Sequence, residues 1–407
     1  MKKILIVICV MIYAADAYSQ EKIVESNNEF AFKIYKATKP DSINFFISPF
    51  SINIALSIVN EGAMTSTRQE MDRLLSIRNI DNRTQQYSSL IKRTTDLNDH
   101  ESKSCFDWPE DTTSKNSIFL ANSLWVNDGI TIASGFRNMV EANYDSDIFR
   151  FNHQNISSAN KELNNWVSQK TENKISEIEG FNNGIKLSLV NAIYFMGEWN
   201  SPFESKKTKK KKFHTFDKRK VKINFMRDRS HYRYYEDLDL QCIHLPYKCN
   251  QFSMIVVLPK KRYGIIDTEK TISVDYLKKI DSLSRYHEVV LSLPKFKIES
   301  EIKPKEEITK MGYPEMFSDD ADFAGISITD SLKIGEIIHK TFIEIDEKKT
   351  EAAAVTKVDL VITALGVGGN PPPPPPPKIF NADHPFIFFI IDNRTNAILF
   401  TGRFVKE

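Results

Sequence analysis

Residues 348–377, KKTEAAAVTKVDLVITALGVGGNPPPPPPP, combine a strand pattern with residues that an interior strand does not tolerate. Alternate positions from Thr350 to Ile362 carry small or apolar side chains, and the positions between them are mostly polar or small. This is the period of a strand with one face meant for burial. Glycines and seven consecutive prolines follow, and proline cannot donate to a sheet ladder. The segment therefore predicts an exposed, extended loop that can form a strand at a later stage.

The rest of the chain predicts an α+β fold. With 407 residues, of which 41% are hydrophobic, the chain can bury a large core. Helical patterns predominate in the first part of the chain, and strand patterns predominate from Leu187 onward. This order argues against a fold of regularly alternating β-strands and α-helices. No internal repeat or composition break divides the chain. We therefore predict a single domain over residues 18–407.

Two helices and one hairpin are predicted from local patterns. Apolar residues at helical spacing from Ile23 to Tyr35 predict a helix that ends before Pro40. A second, nearly all-apolar helix is expected to begin at Ser48-Pro49 and to end at Gly62. Near the carboxy terminus, PFIFFIIDNRTNAILFTGRF consists of two apolar runs joined by a polar turn, which is typical of a hairpin.

Residues 1–17 have the pattern of a secretory signal peptide. Two lysines precede a short apolar run, and Ala15-Asp16-Ala17 supplies a small-x-small cleavage site. The apolar run is too short to span a bilayer. We therefore expect a secreted, extracellular protein with no membrane attachment. In that compartment three N-x-S/T triplets are candidate glycosylation sites, at Asn82, Asn155 and Asn393.

The cysteine count limits the disulfides. Removal of Cys9 with the signal peptide leaves Cys105, Cys242 and Cys249, so at most one internal disulfide can form. We expect two buried thiols and one thiol in a polar loop. Cys105 lies in the polar, acidic residues 97–116 and is the thiol expected to be exposed, although the sequence leaves open whether it drives dimerisation.

The charge balance hides one basic cluster. Lys and Arg total 55 against 53 Asp and Glu, a formal +2, which gives no general attraction to nucleic acid or to membranes. The local cluster can bind a sulfated polysaccharide or an acidic surface of a protease, or it can be a solvated strand edge that lysines protect against aggregation. Its residues are Lys206, Lys207, Lys209, Lys210, Lys211 and Lys212, followed by Lys218, Arg219, Lys220 and Lys222.

No pattern for catalysis accompanies these features. The sequence has no Walker loop, no dinucleotide-binding glycine pattern after a strand, no HExxH, no CxxC and no G-x-S-x-G. His339 stands alone in an apolar, strand-like stretch, which favours a hydrogen-bonded core residue over a catalytic one. We therefore predict neither an enzyme nor a metal site.

Several of these segments resemble the serpin family, and together they cover essentially the whole mature chain. EKKTEAAAVT resembles the family hinge, LVNAIYFMGEW the strand leading to its breach tryptophan, LPKFKIE and ADFAGIS its central signatures, and ADHPFIFFI with LFTGR its carboxy-terminal hairpin. The resemblance implies a serpin fold with three β-sheets, about nine helices and an exposed reactive-centre loop at about residues 347–380.

The resemblance also implies an activity. Serpins mostly inhibit serine proteases, and some inhibit cysteine proteases, as suicide substrates in a covalent 1:1 complex. The protease cleaves the loop, and the upstream half of the loop inserts into the large sheet as a new strand. We expect a monomer that binds no nucleic acid and needs no cofactor, with a glycosaminoglycan as an optional partner. The alternative is a non-inhibitory serpin that acts as a binding protein or as a protease substrate.

The family pattern can be carried over to individual residues. The usual spacing from the hinge puts the scissile bond at Thr363-Ala364, which suits an elastase-like or subtilisin-like protease, although cleavage at Ile362 or Leu365 stays open. Lys349 stands where the hinge normally has glycine, and this departure supports the non-inhibitory alternative. The hinge then consists of Glu347, Lys349, Thr350, Glu351, Ala352, Ala353 and Ala354. Ser48, Ser51, Asn191 and His339 would form the polar shutter beneath the opening sheet, and Trp199 would mark the breach where insertion begins.

Overall fold

A computed structural model describes residues 22–95, 116–152, 154–182, 184–347 and 375–406. The predicted signal peptide, Cys105, the hinge residues Lys349 to Ala354 and the Thr363-Ala364 bond lie outside the described residues.

The helices lie mainly in the first half of the chain. Within the described ranges nine α-helices occur, as the resemblance predicted. They are α1 (22–38), α2 (Pro49–Gly62), α3 (Thr65–Leu74), α4 (Arg83–Thr95), α5 (Ser134–Asn143), α6 (Ile156–Lys170), α7 (Ile265–Thr271), α8 (Val274–Leu283) and α9 (Lys305–Lys310).

Helix α2 confirms the prediction from the sequence. Ser48 caps its amino terminus, because its side chain accepts a hydrogen bond from the backbone N–H of Ser51 at 3.2 Å. Pro49 occupies the first turn, where a missing N–H costs nothing. All residues of α2 except Glu61 are buried. The helix packs against β2 and β4 of one sheet and against β14 of the other, so it lies between the two sheets.

Five strands form the first sheet, which we call the central sheet. Its order is β10-β11-β4-β2-β3. Strands β4 and β11 are parallel to each other, and each is antiparallel to its outer neighbour, β2 or β10. The bounds are β2 (Ser117–Asn127), β3 (Asp147–Phe151), β4 (Leu187–Met196), β10 (Phe296–Ile302) and β11 (Glu336–Ile345).

The remaining nine strands form one continuous sheet, so the described residues give two hydrogen-bonded sheets and not the three that we predicted. The cause is β6, because its 17 residues pair with β5, β7 and β9 and thereby join these strands into one hydrogen-bonded sheet. The order is β1-β14-β13-β8-β7-β6-β9-β12, with β5 paired to β6. The bounds are β1 (Phe45–Ile47), β5 (Lys209–His214), β6 (Lys220–Glu236), β7 (Leu240–Pro246), β8 (Phe252–Pro259), β9 (Arg285–Pro294), β12 (Lys378–Asn381), β13 (Phe386–Asp392) and β14 (Ile398–Phe404).

One expectation about the cysteines is wrong. Cys242 is a free, buried thiol, as predicted. Cys249 is instead disulfide-bonded, and it lies in the short turn Lys248–Asn250 with a left-handed backbone at φ 59°. A half-buried surface turn leaves its sulfur accessible to a partner, whereas the interior of β7 encloses Cys242.

The carboxy-terminal hairpin of β13 and β14 is confirmed, and its packing depends on one glycine. Gly402 lies opposite Phe388 in the hairpin and opposite Phe46 of β1. The Phe46 ring stacks on that of Phe400 at 5.0 Å, within the main core. A Cβ atom at position 402 would overlap the Phe388 ring, so only glycine fits here without a shift of that ring.

We expect Gly402→Ala to lower the free energy of unfolding by about 1–3 kcal/mol, because the Phe388 ring must move within a packed core. Gly135→Ala is the matched control. Gly135 lies early in α5 with nothing within 4 Å of an added Cβ atom, so this change should be neutral or stabilising by up to about 1 kcal/mol. Denaturant unfolding measures both, and equal stabilities for the two variants would contradict this view of the hairpin.

Candidate functional site

Three polar side chains form a row across the central sheet. In the ladders, Asn191 of β4 lies opposite His339 of β11 on one side and opposite Asn122 of β2 on the other. All three residues are buried. Buried polar groups are normally hydrogen-bonded, so the row needs partners within the protein.

The start of α2 supplies these partners. His339 Nε2 accepts a hydrogen bond from the backbone N–H of Ser48 at 3.0 Å. Asn191 Nδ2 donates to the Ser51 carbonyl oxygen at 3.2 Å and to the side-chain oxygens of Ser51 and Asn122. Asn191 Oδ1 and His339 Nδ1 bond directly across the β4–β11 pair. The structure therefore brings the four predicted shutter residues into one hydrogen-bonded cluster, and their role in sheet opening stays a prediction.

Asn122 completes the cluster and was missed at the level of the sequence. Its Oδ1 atom accepts hydrogen bonds from Asn191 and, at 3.3 Å, from Ser51. The available signal was an amide inside the apolar run IFLANSLWV, because such a residue in a buried strand requires a polar partner. The pattern could not show which partner, since that depends on the register of β2 against β4.

The hydrogen bonds define the tautomer and charge of His339. A backbone N–H can only donate, so Nε2 must be the acceptor, and the proton therefore lies on Nδ1 and is donated to Asn191. Complete burial lowers the pKa of His339 from 6.5 to about 3, because the charged imidazolium would lose its hydration. His339 is therefore neutral in the folded protein at physiological pH.

We expect His339→Gln to reduce the acid sensitivity of the fold. The histidine of the unfolded chain takes up a proton below about pH 6.5, whereas His339 in the folded protein stays neutral down to about pH 3. The stabilising contribution of His339 is therefore complete above pH 6.5 and is lost as the pH falls. Between about pH 6.5 and 4.5, the wild type should lose about 2–3 kcal/mol more stability than the variant. Urea unfolding at each pH measures this difference.

His244 is the internal control for that experiment. Its burial lowers its pKa to about 4, so it gives an acid sensitivity of the same sign in both proteins. The free energy of unfolding of the His339→Gln variant should therefore still fall with decreasing pH, but less steeply than that of the wild type. Parallel stability curves for the wild type and His339→Gln would show that His339 contributes no acid sensitivity and would contradict the account of its buried, neutral state.

The central pair of strands separates at one end. The β4–β11 ladder ends at Tyr194 and Phe342, although the two strands continue to Met196 and Ile345. The outer ladders, β2–β4 and β10–β11, continue to these last residues. The separation is therefore confined to the junction between β4 and β11.

Trp199 lies at this same end. Its indole Nε1 donates to the backbone oxygen of Asp346, just after β11, at 2.9 Å. Its ring stacks on that of Tyr247 with 4.6 Å between centroids and 10° between planes. The tryptophan therefore joins the end of β11 to the turn between β7 and β8. The role of Trp199 as the breach residue stays a prediction.

Glu347, the first predicted hinge residue, is anchored to the body of the protein. It is buried, and its carboxylate accepts hydrogen bonds from the Thr208 hydroxyl at 2.6 Å and from the Lys295 ammonium group, with which it forms an ion pair. Burial alone would raise the pKa of the Glu347 carboxyl, but these hydrogen bonds outweigh burial and hold the pKa below its usual value. The chain is therefore fixed at the point where the loop begins.

The far end of the loop is fixed as well. After the last prolines, β12 pairs with β9 in parallel, and Lys378 Nζ lies 2.7 Å from Glu236 Oε1. Lys260 lies 3.2 Å from the other oxygen of the same carboxylate. Hydrogen bonds from Lys378 and Lys260 lower the pKa of Glu236 to about 2 despite its partial burial. Both ends of the predicted reactive loop thus depart from anchored positions.

The other predicted sites lie at separate places on the surface. The basic cluster falls on a short turn, Ser205–Lys207, on β5, and on the β5–β6 turn with the first residues of β6. Asn82 and Asn155 are exposed. Asn393 is half-buried, and its Nδ2 donates to the carbonyl oxygen of Asn250 and to Ser253 Oγ, each at 2.8 Å. A glycan on Asn393 would replace one of the two Nδ2 hydrogen atoms that make these hydrogen bonds. The exposed side chains of Asn82 and Asn155 stay candidate glycosylation sites.

Neither a metal-binding cluster nor a membrane-spanning helix occurs among the described residues. Among them, no group of three or more His, Cys, Asp or Glu residues could hold a metal ion. No helix in the described part of the chain is both long enough and apolar enough to cross a membrane.

Comparisons with known proteins agree on one family. A family model described as Serpin (serine protease inhibitor) matches residues 25–407. The leukocyte elastase inhibitor of Xenopus tropicalis is 30% identical over 94% of this chain and 99% of its own length. The crystal structure of tengpin, a thermophilic serpin in its native state, has a TM-score of 0.80 at 28% identity and covers 95% of this chain and 94% of tengpin. Human thyroxine-binding globulin in complex with thyroxine has a TM-score of 0.80 at 27% identity, over 95% of this chain and 99% of its own.

Proposed function

Because the chain belongs to the serpin family, we propose that it is a secreted inhibitor that traps a serine protease, or secondarily a cysteine protease, in a covalent 1:1 complex. It acts once, as a suicide substrate whose reactive loop is cleaved and then inserted into the central sheet. Secretion is proposed from the signal pattern of residues 1–17. The anchored loop ends and the separated end of β4–β11 support the proposal.

The pairing of β4 with β11 is the observation that carries the proposal. The two strands are parallel neighbours, and the loop begins directly after β11. A chain that turns back after β11 runs antiparallel to β11 and therefore antiparallel to β4 as well. Insertion thus replaces one parallel ladder with two antiparallel ladders, which are more stable for each residue paired.

The free energy available from insertion is large. About ten new ladder hydrogen bonds at ~1 kcal/mol each, with burial of Val358, Leu360 and Ile362 at ~1.5–3 kcal/mol each, give roughly 10–20 kcal/mol. A protein domain is stable by only ~5–15 kcal/mol, so insertion can distort a protease that remains attached to the loop. Small side chains from Ala352 to Ala354 suit the first residues to enter, because the opening sheet is close-packed.

The loop sequence suggests the class of protease. With the scissile bond at Thr363-Ala364, the flanking Ile362 and Leu365 suit an elastase-like or subtilisin-like pocket. No Arg or Lys lies between Lys357 and Lys378, which disfavours trypsin-like enzymes. The similar leukocyte elastase inhibitor is named for the same class of target.

A second candidate function is a serpin without inhibitory activity. Lys349 replaces the small hinge residue that the family normally uses, and a long side chain at the pivot would slow insertion. Slow insertion favours hydrolysis over trapping, so the protein would be a substrate or a binding protein. The similar thyroxine-binding globulin was solved with a bound hormone, which shows that the fold also serves binding.

We expect Glu347→Ala to release the start of the loop and to speed conversion to loop-inserted or polymeric forms on mild heating, because the Lys295 and Thr208 contacts are lost. Native gels after timed incubation measure this conversion. Glu344→Ala is the matched control, since Glu344 is an exposed carboxylate on β11 three residues earlier. If both variants convert at the same rate, the contacts of Glu347 do not restrain the hinge.

We expect the mature protein to form a complex that survives denaturing gels with an elastase-like or subtilisin-like protease and not with a trypsin-like one. The bond to the enzyme is the ester left after cleavage at Thr363, so the released fragment should begin at Ala364. Gel electrophoresis and amino-terminal sequencing of the fragment test both statements.

The Lys349→Gly variant separates the two candidate functions. If the wild type is cleaved near Ala364 without complex formation and the variant forms a complex, the protein is a natural substrate whose hinge has lost trapping. Cleavage without a complex in both proteins would reject the inhibitory function for the proteases tested.

A further inference from the structure

Three aromatic side chains form a row across the central sheet, on the face opposite Asn191 and His339. In the ladders, Tyr194 of β4 lies opposite Phe119 of β2 on one side and opposite Phe342 of β11 on the other. Successive side chains of a strand point to opposite faces, and Tyr194 and Phe342 each lie three residues after the polar residue of their own strand. The row therefore lies on the face that α6 covers, whereas Asn191 and His339 meet the start of α2.

The rings of this row contact one another. Tyr194 stacks on Phe119 with 5.7 Å between ring centroids and 18° between ring planes. Tyr194 also contacts Phe342, with 5.5 Å between centroids and 59° between planes. Aromatic pairs whose centroids are about 4.5–7 Å apart attract each other beyond the effect of burial. Tyr194 and Phe342 are each 4% exposed, so their contact is shielded from water, whereas Phe119 is half-buried.

Two lysines lie over the buried rings. Lys297 Nζ of β10 lies 4.6 Å from the centre of the Phe342 ring. Lys174 Nζ, in the segment after α6, lies 6.0 Å from the centre of the Tyr194 ring. An ammonium group over an aromatic ring is attracted by the negative face of the ring. The Phe342 ring is therefore held between a cation of β10 and a ring of β4.

The two ring contacts cross different junctions of the sheet. The contact between Phe119 and Tyr194 crosses from β2 to β4, where the ladder continues to Met196 at the end of β4. The contact between Tyr194 and Phe342 crosses from β4 to β11, and these two residues are the last pair of that ladder. The second contact thus joins the two central strands at the point where their pairing ends.

We propose that Tyr194 and Phe342 are positioning residues for loop insertion, because their rings form a clasp that keeps β4 and β11 together and slows the entry of a strand between them. This inference rests on the insertion step of the proposed function. One inserted strand adds about 4.8 Å between β4 and β11, which brings the two centroids to roughly 10 Å and ends the ring contact. The contact between Phe119 and Tyr194 is kept, since β2 and β4 stay neighbours.

The clasp and the hydrogen bond between Asn191 and His339 restrain the same junction from opposite faces. The hydrogen bond lies three residues before the clasp on each strand. The loop begins directly after β11, so a strand that enters from this end breaks the clasp before it reaches the hydrogen bond. The clasp therefore acts on the first step of insertion.

Ordinary packing beneath α6 is the competing explanation. Tyr194 and Phe342 belong to the core cluster that α6 covers, and Phe119 packs against that cluster. Packing alone treats both ring contacts alike, so strand entry would become faster in proportion to the loss of stability in any variant of the row. The clasp leads to a different expectation, because only the contact across β4 and β11 breaks during insertion.

The test measures strand entry without a protease. A synthetic peptide can add to a sheet as a new strand through main-chain hydrogen bonds. A peptide with the sequence of residues 350–362 and a fluorescent label is mixed with the uncleaved protein, and the change in fluorescence gives the rate at which the peptide enters. Denaturant unfolding of each protein is measured in parallel.

Phe342→Leu removes the clasp, and Phe119→Leu is the matched control because it removes a ring from the same row and the same partner. We expect the peptide to enter Phe342→Leu about threefold to tenfold faster than the wild type, which is the factor that one aromatic pair supplies. The rate for Phe119→Leu should stay within about twofold of the wild type, because an aromatic contact that survives insertion does not contribute to the barrier.

A double-variant cycle separates the clasp from a general loss of stability. Tyr194→Leu breaks the same contact as Phe342→Leu, so the double variant Tyr194→Leu/Phe342→Leu should take up the peptide no faster than the faster of the two single variants. If lower stability were the cause, the double variant, which loses both buried rings, would be the fastest of all. That result would overturn the proposal, and so would equal rates for Phe342→Leu and Phe119→Leu.

The clasp and the inhibitory function can fail separately. The expected order of rates, together with cleavage but no covalent complex with any protease, would support the clasp and reject inhibition. A covalent complex, together with equal rates of peptide entry in all variants, would support inhibition and reject the clasp. If no peptide enters any of these proteins, the junction between β4 and β11 does not open, and both the clasp and the insertion step are rejected.

Discussion

The hydrogen bond between Asn191 and His339 is the contact on which the rest of the molecule depends. It joins β4 to β11 at the junction where an additional strand would enter, and the start of α2 completes it. Ser48 also donates to the carbonyl oxygen of Leu399 at 2.7 Å, so the same cluster ties the central sheet to the carboxy-terminal hairpin. Leaving one buried polar group without its partner costs about 1–3 kcal/mol, much less than the roughly 10–20 kcal/mol available from insertion. The cluster can therefore delay opening of the sheet without preventing it.

The loop is restrained at both ends by charged contacts, and these contacts have different consequences. Glu347 holds the start of the loop beside the separated end of β4–β11, where insertion would begin. Glu236 holds Lys378 on β12, which must stay in its own sheet while the upstream half moves. In the proposed mechanism, the replacement of the parallel β4–β11 ladder by two antiparallel ladders supplies the free energy, and the restraints at the ends of the loop would set when insertion starts.

Local patterns predicted the elements well and the connections between them less well. Ser48-Pro49 fixed the start of α2, and the two apolar runs before Phe404 fixed the hairpin, because each depends on neighbouring residues. The third predicted sheet is not seen as a separate sheet among the described residues, and only tertiary pairing shows that β6 continues through both parts of the larger sheet. Asn122 was missed for the same reason, because its partner is set by register. The basic run gave no indication that Lys206 and Lys207 share one carboxylate, that of Glu204, while other lysines lie together on one face of the β5–β6 pair.

The most direct test of the account measures the distance across β4 and β11. Tyr194 and Phe342 form the last pair of the central ladder, and spin labels at these positions report the separation of the strands. After cleavage of the loop by an elastase-like protease, one inserted strand should increase the distance by about 5 Å, which is a single strand spacing. An unchanged distance in the cleaved protein would show that the sheet stays closed, and the proposed insertion would be contradicted.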